Sequence, residues 1–427
     1  MYIYRLESTL ETILVRKSEA LNGRIKVNGS KNAVLPILAA TLLTKDKCIL
    51  HDIPKLEDVS VMCDLLASLG AQVKMLGENT LEIQAKDIVN YEAPYDLISK
   101  MRASFLVMGS LLSRINKAKV SMPGGCAIGT RPIDLHLKGF KNLNIEVNSY
   151  KGDIYAKSEC IIGNHIYLDF PSVGATENIM MAACTAKGQT VIENAAEEPE
   201  IVDLANFINK MGGKIEGAGT KNIIITGVEE LHGAEYTVIP DRIEAGTYMV
   251  AAVITGGELY IDNVIPSHVQ PVIAKLREIG AEIVEMERSV IVRSKGIISS
   301  TDIKTLPYPG FPTDMQAQFM LLLSVANGTS VINETIFENR YMHANEFLRM
   351  GANIKIEGKT AVINGFNSLT GAKVKATDLR AGAALILAGL IADGETEISE
   401  VYHIKRGYAD IVEKLQSVGA NITYNKY

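Results

Sequence analysis

The sequence predicts an α/β protein of two domains built from six βαβ-type repeats, three to a domain, around buried apolar helices. Three observations predict it. A strand, turn, amphipathic helix and second strand recur with a period of roughly 70 residues, too long for stacked helical hairpins. Each recurrence is preceded by a helical stretch that is apolar almost all round. The chain has 427 residues, too many for one core; two domains of roughly 200 residues follow.

The units are legible in order. Cys48-Ile49-Leu50-His51-Asp52 leads to Leu69-Gly70-Ala71, Thr190-Val191-Ile192-Glu193-Asn194 to Met211-Gly212-Gly213, and Leu259-Tyr260-Ile261-Asp262-Asn263 to Ile279-Gly280-Ala281. Ser330-Val331-Ile332-Asn333 runs to Met350-Gly351-Ala352, and Thr396-Glu397-Ile398-Ser399 to Val418-Gly419-Ala420. In each, alternating residues read as a strand, a 3.6-residue period follows, and glycine stops the helix. The all-apolar helices are expected at 33–43, 103–112, 179–186, 247–254, 316–326 and 381–392. With no polar face they must lie inside, and sheets and amphipathic helices surround them. The unit after 103–112 differs: its strand, 118–122, runs into a glycine-rich loop. A proline after a strand at Pro240 marks the domain break, so the strands up to Val27 have to complete the second half. The expected domains are 1–30 with 240–427, and 31–239 carrying the loop, with two crossings forming a hinge.

Composition excludes several classes. Without tryptophan and with 6% aromatics the chain lacks base-stacking platforms. A formal charge of −6 argues against a broad nucleic-acid or anionic-membrane surface, so an anionic substrate needs a local basic cluster. The 5 cysteines are odd in number and lack Cys-x-x-Cys spacing, and the 7 histidines show no ligand spacing. No disulfide framework, metal or cofactor is therefore indicated, and a reducing cytoplasm fits. Arg5, Glu7 and Glu11 interrupt what would be a signal peptide, and 381–392 is short of the roughly 20 residues that span a bilayer.

The chemistry centres on Met122-Pro123-Gly124-Gly125-Cys126-Ala127-Ile128-Gly129-Thr130-Arg131-Pro132. Glycine and proline make this a loop, where the Cys126 thiol is exposed and Arg131 favours its thiolate. An incidental cysteine in a surface turn is the alternative. If the repeats are symmetric, the starts of the buried helices collect at one end of each domain and form anion sites. Lysine and arginine there oppose the helix dipole, so Lys31, Arg102 and Arg380 read as residues kept for a ligand. Against this, Asp314 is a good first-turn acid, Asp378 a routine N-cap, and Arg406 a candidate solvated charge. Cys48, Cys63, Cys160 and Cys184 read as fillers.

Several blocks, in order, carry a resemblance: Gly29-Ser30-Lys31-Asn32-Ala33, Met101-Arg102-Ala103-Ser104, 123–135, Ser172-Val173-Gly174-Ala175-Thr176, Phe311-Pro312-Thr313-Asp314-Met315-Gln316-Ala317-Gln318, Glu338-Asn339-Arg340, Asp378-Leu379-Arg380-Ala381 and Arg406-Gly407-Tyr408. Over essentially its whole length the chain resembles the enolpyruvyl transferases that act on UDP-N-acetylglucosamine in peptidoglycan synthesis. The resemblance implies two inside-out α/β barrels with an active site in the cleft between them. It implies transfer of the enolpyruvyl group of phosphoenolpyruvate to the 3-hydroxyl of the sugar, with release of phosphate. Cys126 matches the loop cysteine, a general acid that forms an adduct with phosphoenolpyruvate and is alkylated by fosfomycin. Lys31, Asn32, Arg131, Arg380 and Arg406 match phosphoenolpyruvate contacts. Asp314 matches the group beside the 3-hydroxyl; Arg102, Arg131, Pro132, Ile133, Asp134, Leu135, Ser172, Val173, Gly174 and Ile336 match nucleotide-sugar contacts. Extra residues precede the first strand, and Phe170-Pro171 stands where some members carry a basic residue near the diphosphate.

The residues suit the reaction. Adding an alcohol across an enol phosphate needs a base, which Asp314 supplies, and an acid for the methylene carbon, which Cys126 supplies. Lys31, Arg131 and Arg406 bring the positive charge without a metal. Partners are expected to be these small molecules alone, with no nucleic acid or membrane, acting on a monomer. A shikimate-3-phosphate enolpyruvyl transferase and a non-catalytic sugar-nucleotide-binding paralogue are the alternatives. The cysteine and the Arg-Pro-Ile-Asp-Leu run favour the nucleotide sugar over the first, and intact Lys31, Cys126, Asp314 and Arg406 oppose the second.

Overall fold

A computed structural model describes residues 11–122, 128–129, 132–366 and 368–426. The chain divides into two compact units: Met1–Asn28 with Ala127–Gly129 and Pro240–Tyr427, hereafter the first unit, and Gly29–Cys126 with Thr130–Ile239, the second.

Among the described residues the strands form 6 sheets of 4 strands with a common plan. A central strand pairs in parallel with an edge strand on one side and antiparallel with a two-stranded ribbon on the other, a hairpin in five sheets and the pair Glu11–Arg16 with Asn421–Lys426 in the sixth. In one sheet, Thr329–Asn333 lies parallel to Ile303–Lys304 and antiparallel to Thr360–Asn364, which pairs with Asn353–Glu357. The central strands are Lys47–His51, Lys117–Ser121, Gln189–Glu193, Glu258–Asp262, Thr329–Asn333 and Glu395–Ser399. In every one the second and fourth residues are buried, as in Cys48 with Leu50 and Leu259 with Ile261, which is the two-residue period of a half-covered sheet.

The turns repeat as well. Asp52, Asn194, Asn263 and Glu400 follow their strands with left-handed backbone at φ 57°, 54°, 56° and 58°. The amphipathic helices stop at Gly70, Gly212, Gly280, Gly351 and Gly419, all at positive φ, a conformation that spares glycine a Cβ clash. In the loop-bearing repeat Asn144 takes this place at φ 62°. Asparagine tolerates that region, and this sixth stop carries no glycine for a sequence reading to find.

The six apolar helices are Lys31–Ala40, Val107–Ile115, Val173–Ala183, Arg242–Ile254, Gln316–Ser324 and Leu379–Ile391. All nine residues of Gln316–Ser324 are buried. In the first unit the three such helices pack on one another, enclosed by three sheets. The expected helix at 103–112 is instead a 3₁₀ turn, Arg102–Leu106, followed by an α-helix, Val107–Ile115. Asn178 is the cause: its Oδ1 takes the Gly109 N–H at 2.7 Å and its Nδ2 donates to the Phe105 carbonyl at 3.1 Å. The side chain of a neighbouring helix thus intercepts the bond that would join residues 109 and 105.

The chain's first strands serve its last repeats. Asn22–Lys26 pairs in parallel with Glu258–Asp262, and Glu11–Arg16 lies between Glu395–Ser399 and Asn421–Lys426. Among the described residues no helix is long and apolar enough to cross a membrane.

Candidate functional site

Cys126 and Arg131 lie outside the described residues. The other predicted residues fall into one group in each unit.

In the second unit, Ser30 caps the helix Lys31–Ala40 by accepting from the Ala33 N–H. This sets Lys31 and Asn32 on the first turn. The Lys31 ammonium meets Asp58 at 2.9 Å, with side chains 12% and 2% exposed. So deep a pair holds the Lys31 side chain in a fixed place. Ser172 caps Val173–Ala183 in the same way, through the Ala175 N–H, which puts Val173 and Gly174 at that helix start. Arg102 donates to the Pro132 carbonyl at 3.4 Å, and Asp134 opens the helix Asp134–Asn142.

His136 joins these pieces. Its Nδ1 accepts from Asn178 Nδ2 at 3.1 Å, and Asn178 is oriented by the Gly109 N–H on its Oδ1. The imidazole proton therefore sits on Nε2. A Cβ on Gly174 would lie 3.2 Å from this ring, so only glycine lets the helix start approach it so closely. Burial, with the charge of Arg102, pushes the His136 pKa down to about 3. A neutral histidine thus packs on Gly174 at the start of Val173–Ala183 and is bonded to Asn178 of the same helix, near the charge of Arg102. Histidines at large read as core or surface residues from sequence; only this one lies within the Arg-Pro-Ile-Asp-Leu block's next position, the signal that could have singled it out.

In the first unit the start of three helices meets. Arg380, 2% exposed, donates from Nη2 to Asp314 Oδ2 at 2.9 Å, and Arg340, 4% exposed, to Oδ1 at 2.9 Å. Burial opposes the charge on Arg380, but Asp314, Tyr408 and Asp241 outweigh it and raise its pKa. Asp241 and Asp378 are N-caps, each accepting two backbone N–H groups. The Arg380 guanidinium stands 5.4 Å from the Tyr408 ring. Tyr408 shares its hydroxyl with Thr247 and Gln318 at 3.0 and 3.2 Å, tying its turn to two of the buried helices. Arg406 ends the short helix Val401–Lys405. The turn after it presses on Leu379, since a Cβ on Gly407 would fall 2.2 Å from Cδ1. Ile336 reaches the same place through Glu334, a buried carboxylate that accepts from Ile336 N–H at 2.8 Å and from the Thr313 hydroxyl at 2.9 Å.

Asp314, Arg380, Arg406 and Ile336 are thus brought to one end of the first unit. Sequence reasoning quoted Arg340 without assigning it a role and missed Glu334. Both are charged residues buried in strand-end turns, a setting that spacing does not disclose. Elsewhere, burial pushes the thiols of Cys48 up to about 11 and of Cys63 and Cys184 up to about 12, away from reactivity. Among the described residues no cluster of His, Cys, Asp or Glu has the makings of a metal site.

Repeated sheets around buried helices, with arginines and a carboxylate clustered near helix starts, suit the binding of anionic small molecules. The EPSP synthase (3-phosphoshikimate 1-carboxyvinyltransferase) family matches residues 15–415, and the chain belongs to this family of carboxyvinyl transferases. Among its relatives, UDP-N-acetylglucosamine 1-carboxyvinyltransferase 1 of Caldanaerobacter subterraneus subsp. tengcongensis is 62% identical over 409 residues, 96% of this chain and 98% of that one. The UDP-N-acetylglucosamine 1-carboxyvinyltransferase of Finegoldia magna is 57% identical, covering 97% and 98%. Among solved structures, the enolpyruvyl transferase NikO from Streptomyces tendae superposes with a TM-score of 0.88 at 22% identity, covering 98% and 100%. EPSP synthase from Acinetobacter baumannii gives 0.76 at 16%, covering 97% and 100%. At these identities the structures speak to the fold.

Proposed function

We propose that the protein transfers the enolpyruvyl group of phosphoenolpyruvate to the 3-hydroxyl of UDP-N-acetylglucosamine, releasing phosphate, as a step of peptidoglycan synthesis. The observation that carries this reading is the 62% identity to a relative of that name across 96% of the chain. The basic groups at the helix starts support it, since they suit a donor bearing a carboxylate and a phosphate.

The residues divide the work. Asp314 takes the proton of the acceptor hydroxyl as its oxygen bonds to C2 of the enol phosphate. Cys126 gives a proton to C3, so the double bond becomes a methyl group and C2 becomes tetrahedral. Loss of phosphate from C2, which takes up the proton held by Asp314, and of a proton from C3 to the Cys126 thiolate then restores the double bond, now as an enol ether. Each proton transfer contributes roughly 10² to 10⁴ in rate when its group is in place. Lys31, Arg131, Arg380 and Arg406, with Asn32, bind the donor's anionic groups and the departing phosphate. Arg102, Arg131, Pro132, Ile133, Asp134, Leu135, Ser172, Val173, Gly174 and Ile336 hold the nucleotide sugar, with Asp314 at its 3-hydroxyl. The two units are domains, the enzyme works as a monomer, and it acts in the cytoplasm.

The test is inorganic phosphate released from phosphoenolpyruvate with UDP-N-acetylglucosamine or shikimate 3-phosphate as acceptor. Release with the first alone is expected. Release with shikimate 3-phosphate alone, or with neither, overturns the reading.

A further inference from the structure

We propose that Glu334 is a positioning residue for this reaction: one oxygen of its carboxylate holds the turn that leads into Asp314 and the other holds the turn that carries Ile336, so the base and part of the acceptor's seat are set by one group. The inference rests on the roles of Asp314 and Ile336 proposed above and adds what keeps them in register.

The carboxylate is presented from a fixed backbone. Glu334 follows the central strand Thr329–Asn333, and its N–H donates to the Lys359 carbonyl at 2.9 Å and to the Tyr341 hydroxyl at 3.1 Å. From there the side chain points inward and is 1% exposed. Oε2 accepts from the Thr313 hydroxyl at 2.9 Å. Oε1 accepts from the Ile336 N–H at 2.8 Å, the Phe337 N–H at 3.3 Å and the Thr305 hydroxyl at 2.8 Å. Burying a carboxylate is costly, and these donors are two hydroxyls and two backbone N–H groups, none of them charged. What the carboxylate offers in return is a pair of acceptor oxygens at a fixed separation, which can take donors from both turns at once.

The two turns are tied a second time. Arg340, at the far end of the segment that starts with Glu334, donates to Asp314 Oδ1 at 2.9 Å. Ile336 therefore lies in a stretch whose two ends both grip Thr313 and Asp314, one as acceptor and one as donor. Arg340 and Arg380 act on the Asp314 carboxylate itself, whereas Glu334 acts on the residue before it and on the backbone of the seat. Proton transfer from the acceptor hydroxyl requires base and acceptor to be aligned, and a small displacement of one against the other costs rate without costing affinity. Loosening the Thr313 tie alone thus moves the base and leaves the seat, whereas shortening Glu334 disturbs both.

The experiment is steady-state phosphate release from phosphoenolpyruvate with UDP-N-acetylglucosamine, alongside calorimetry of the nucleotide sugar, whose stoichiometry counts folded sites so that kcat is expressed per site. Thr313→Val keeps the side chain's shape and removes the Oε2 donor: kcat is expected to fall about tenfold while the Kd of the nucleotide sugar and both KM values stay within about threefold. Thr313→Ser, which keeps the hydroxyl, restores kcat to within about threefold of wild type. Glu334→Asp is too short to reach both turns, so kcat falls by about 10² and the Kd rises about tenfold. Should that variant not fold, Glu334→Gln shows both effects in smaller measure, about threefold each, through lost charge assistance. A Thr313→Val kcat per site within about twofold of wild type, an equal loss in Thr313→Ser, or a Kd unmoved by the Glu334 variant overturns the proposal. A wild-type enzyme silent with both acceptors would instead remove the functional reading, and this inference with it.

Discussion

Glu334 offers the most direct test of how the first unit's site is held. Its carboxylate is 1% exposed and accepts four donors: Thr305 Oγ1 at 2.8 Å, Ile336 N–H at 2.8 Å and Phe337 N–H at 3.3 Å on Oε1, and Thr313 Oγ1 at 2.9 Å on Oε2. Glu334→Ala leaves two backbone N–H groups and two hydroxyls without this acceptor. At about 1 to 1.5 kcal/mol each, reduced because the bonds share one group, the loss is about 4 kcal/mol. Glu334→Gln behaves differently. Its carbonyl oxygen can take the three donors of Oε1, and its NH₂ can face Thr313, whose hydroxyl turns to accept. What goes is charge assistance, about 1.5 kcal/mol. In a chain of two units a denaturation midpoint mixes transitions, so the readout is hydrogen exchange at the Ile336 and Phe337 amides. Protection should fall by about 10³ in the alanine variant and about tenfold in the glutamine variant. Equal losses in the two would refute the hydrogen-bond argument, and a loss below about fivefold in both would refute the hub itself.

Asp58→Asn removes the 2.9 Å carboxylate partner of the Lys31 ammonium at a site 2% exposed; hydrogen-exchange protection in the helix Lys31–Ala40 is expected to fall by about 10², with lower turnover. Gly109→Ala drives a methyl group to 2.3 Å from the Asn178 carbonyl oxygen, so a variant of that kind should lose at least about 3 kcal/mol or fail to accumulate as folded protein. The folded pKa of His136, about 3 against an unfolded value near 6.5, means that the unfolded chain gains a proton first as pH falls. Its stabilisation is complete above pH ~6.5 and is lost below it at about 1.4 kcal/mol per unit. His343 acts in the same direction, and Asp203, raised to about 7 by burial, in the opposite one. The ratio of hydrogen-exchange protection at the Gly109 amide between wild type and His136→Gln, followed from pH 7 to 4.5, isolates the effect; a pH-independent ratio speaks against a buried neutral ring. Cys126→Ser should retain UDP-N-acetylglucosamine binding by calorimetry while losing most turnover, and Asp314→Asn should bind both substrates with turnover nearly abolished. Phosphate release near the wild-type rate from either removes its proton-transfer role.

Much of the architecture could be read from residues because local rules and global packing agree in it. Leu259 and Ile261 alternate with exposed neighbours, and 316–324 has no polar face, so strand and buried helix follow from periodicity alone. Where a side chain from another helix intervenes, as Asn178 does at Gly109, local pattern misleads and an expected helix becomes two segments. Asn144 hides a helix stop because two residue types satisfy one backbone requirement. The candidate site was legible as types at helix starts, Lys31 and Arg380 among them, and not as partnerships. Arg340 and Arg380 lie 26 and 66 positions from the Asp314 they share, a juxtaposition that only tertiary structure makes. Lys31 likewise gives no hint of Asp58.

The strand Glu11–Arg16 sits between strands at 395–399 and 421–426, which has a consequence for how the molecule is made. On the ribosome the second unit, apart from 127–129, is finished once about residue 239 has emerged, and can fold behind the exit tunnel. The strand Glu11–Arg16 must wait, with its apolar face uncovered, until residues 395–426 have been translated. A circular permutant opened between Ile239 and Pro240, with the native ends joined, would make 240–427 and 1–28 one continuous run, and its yield in rapid synthesis should exceed that of the natural order.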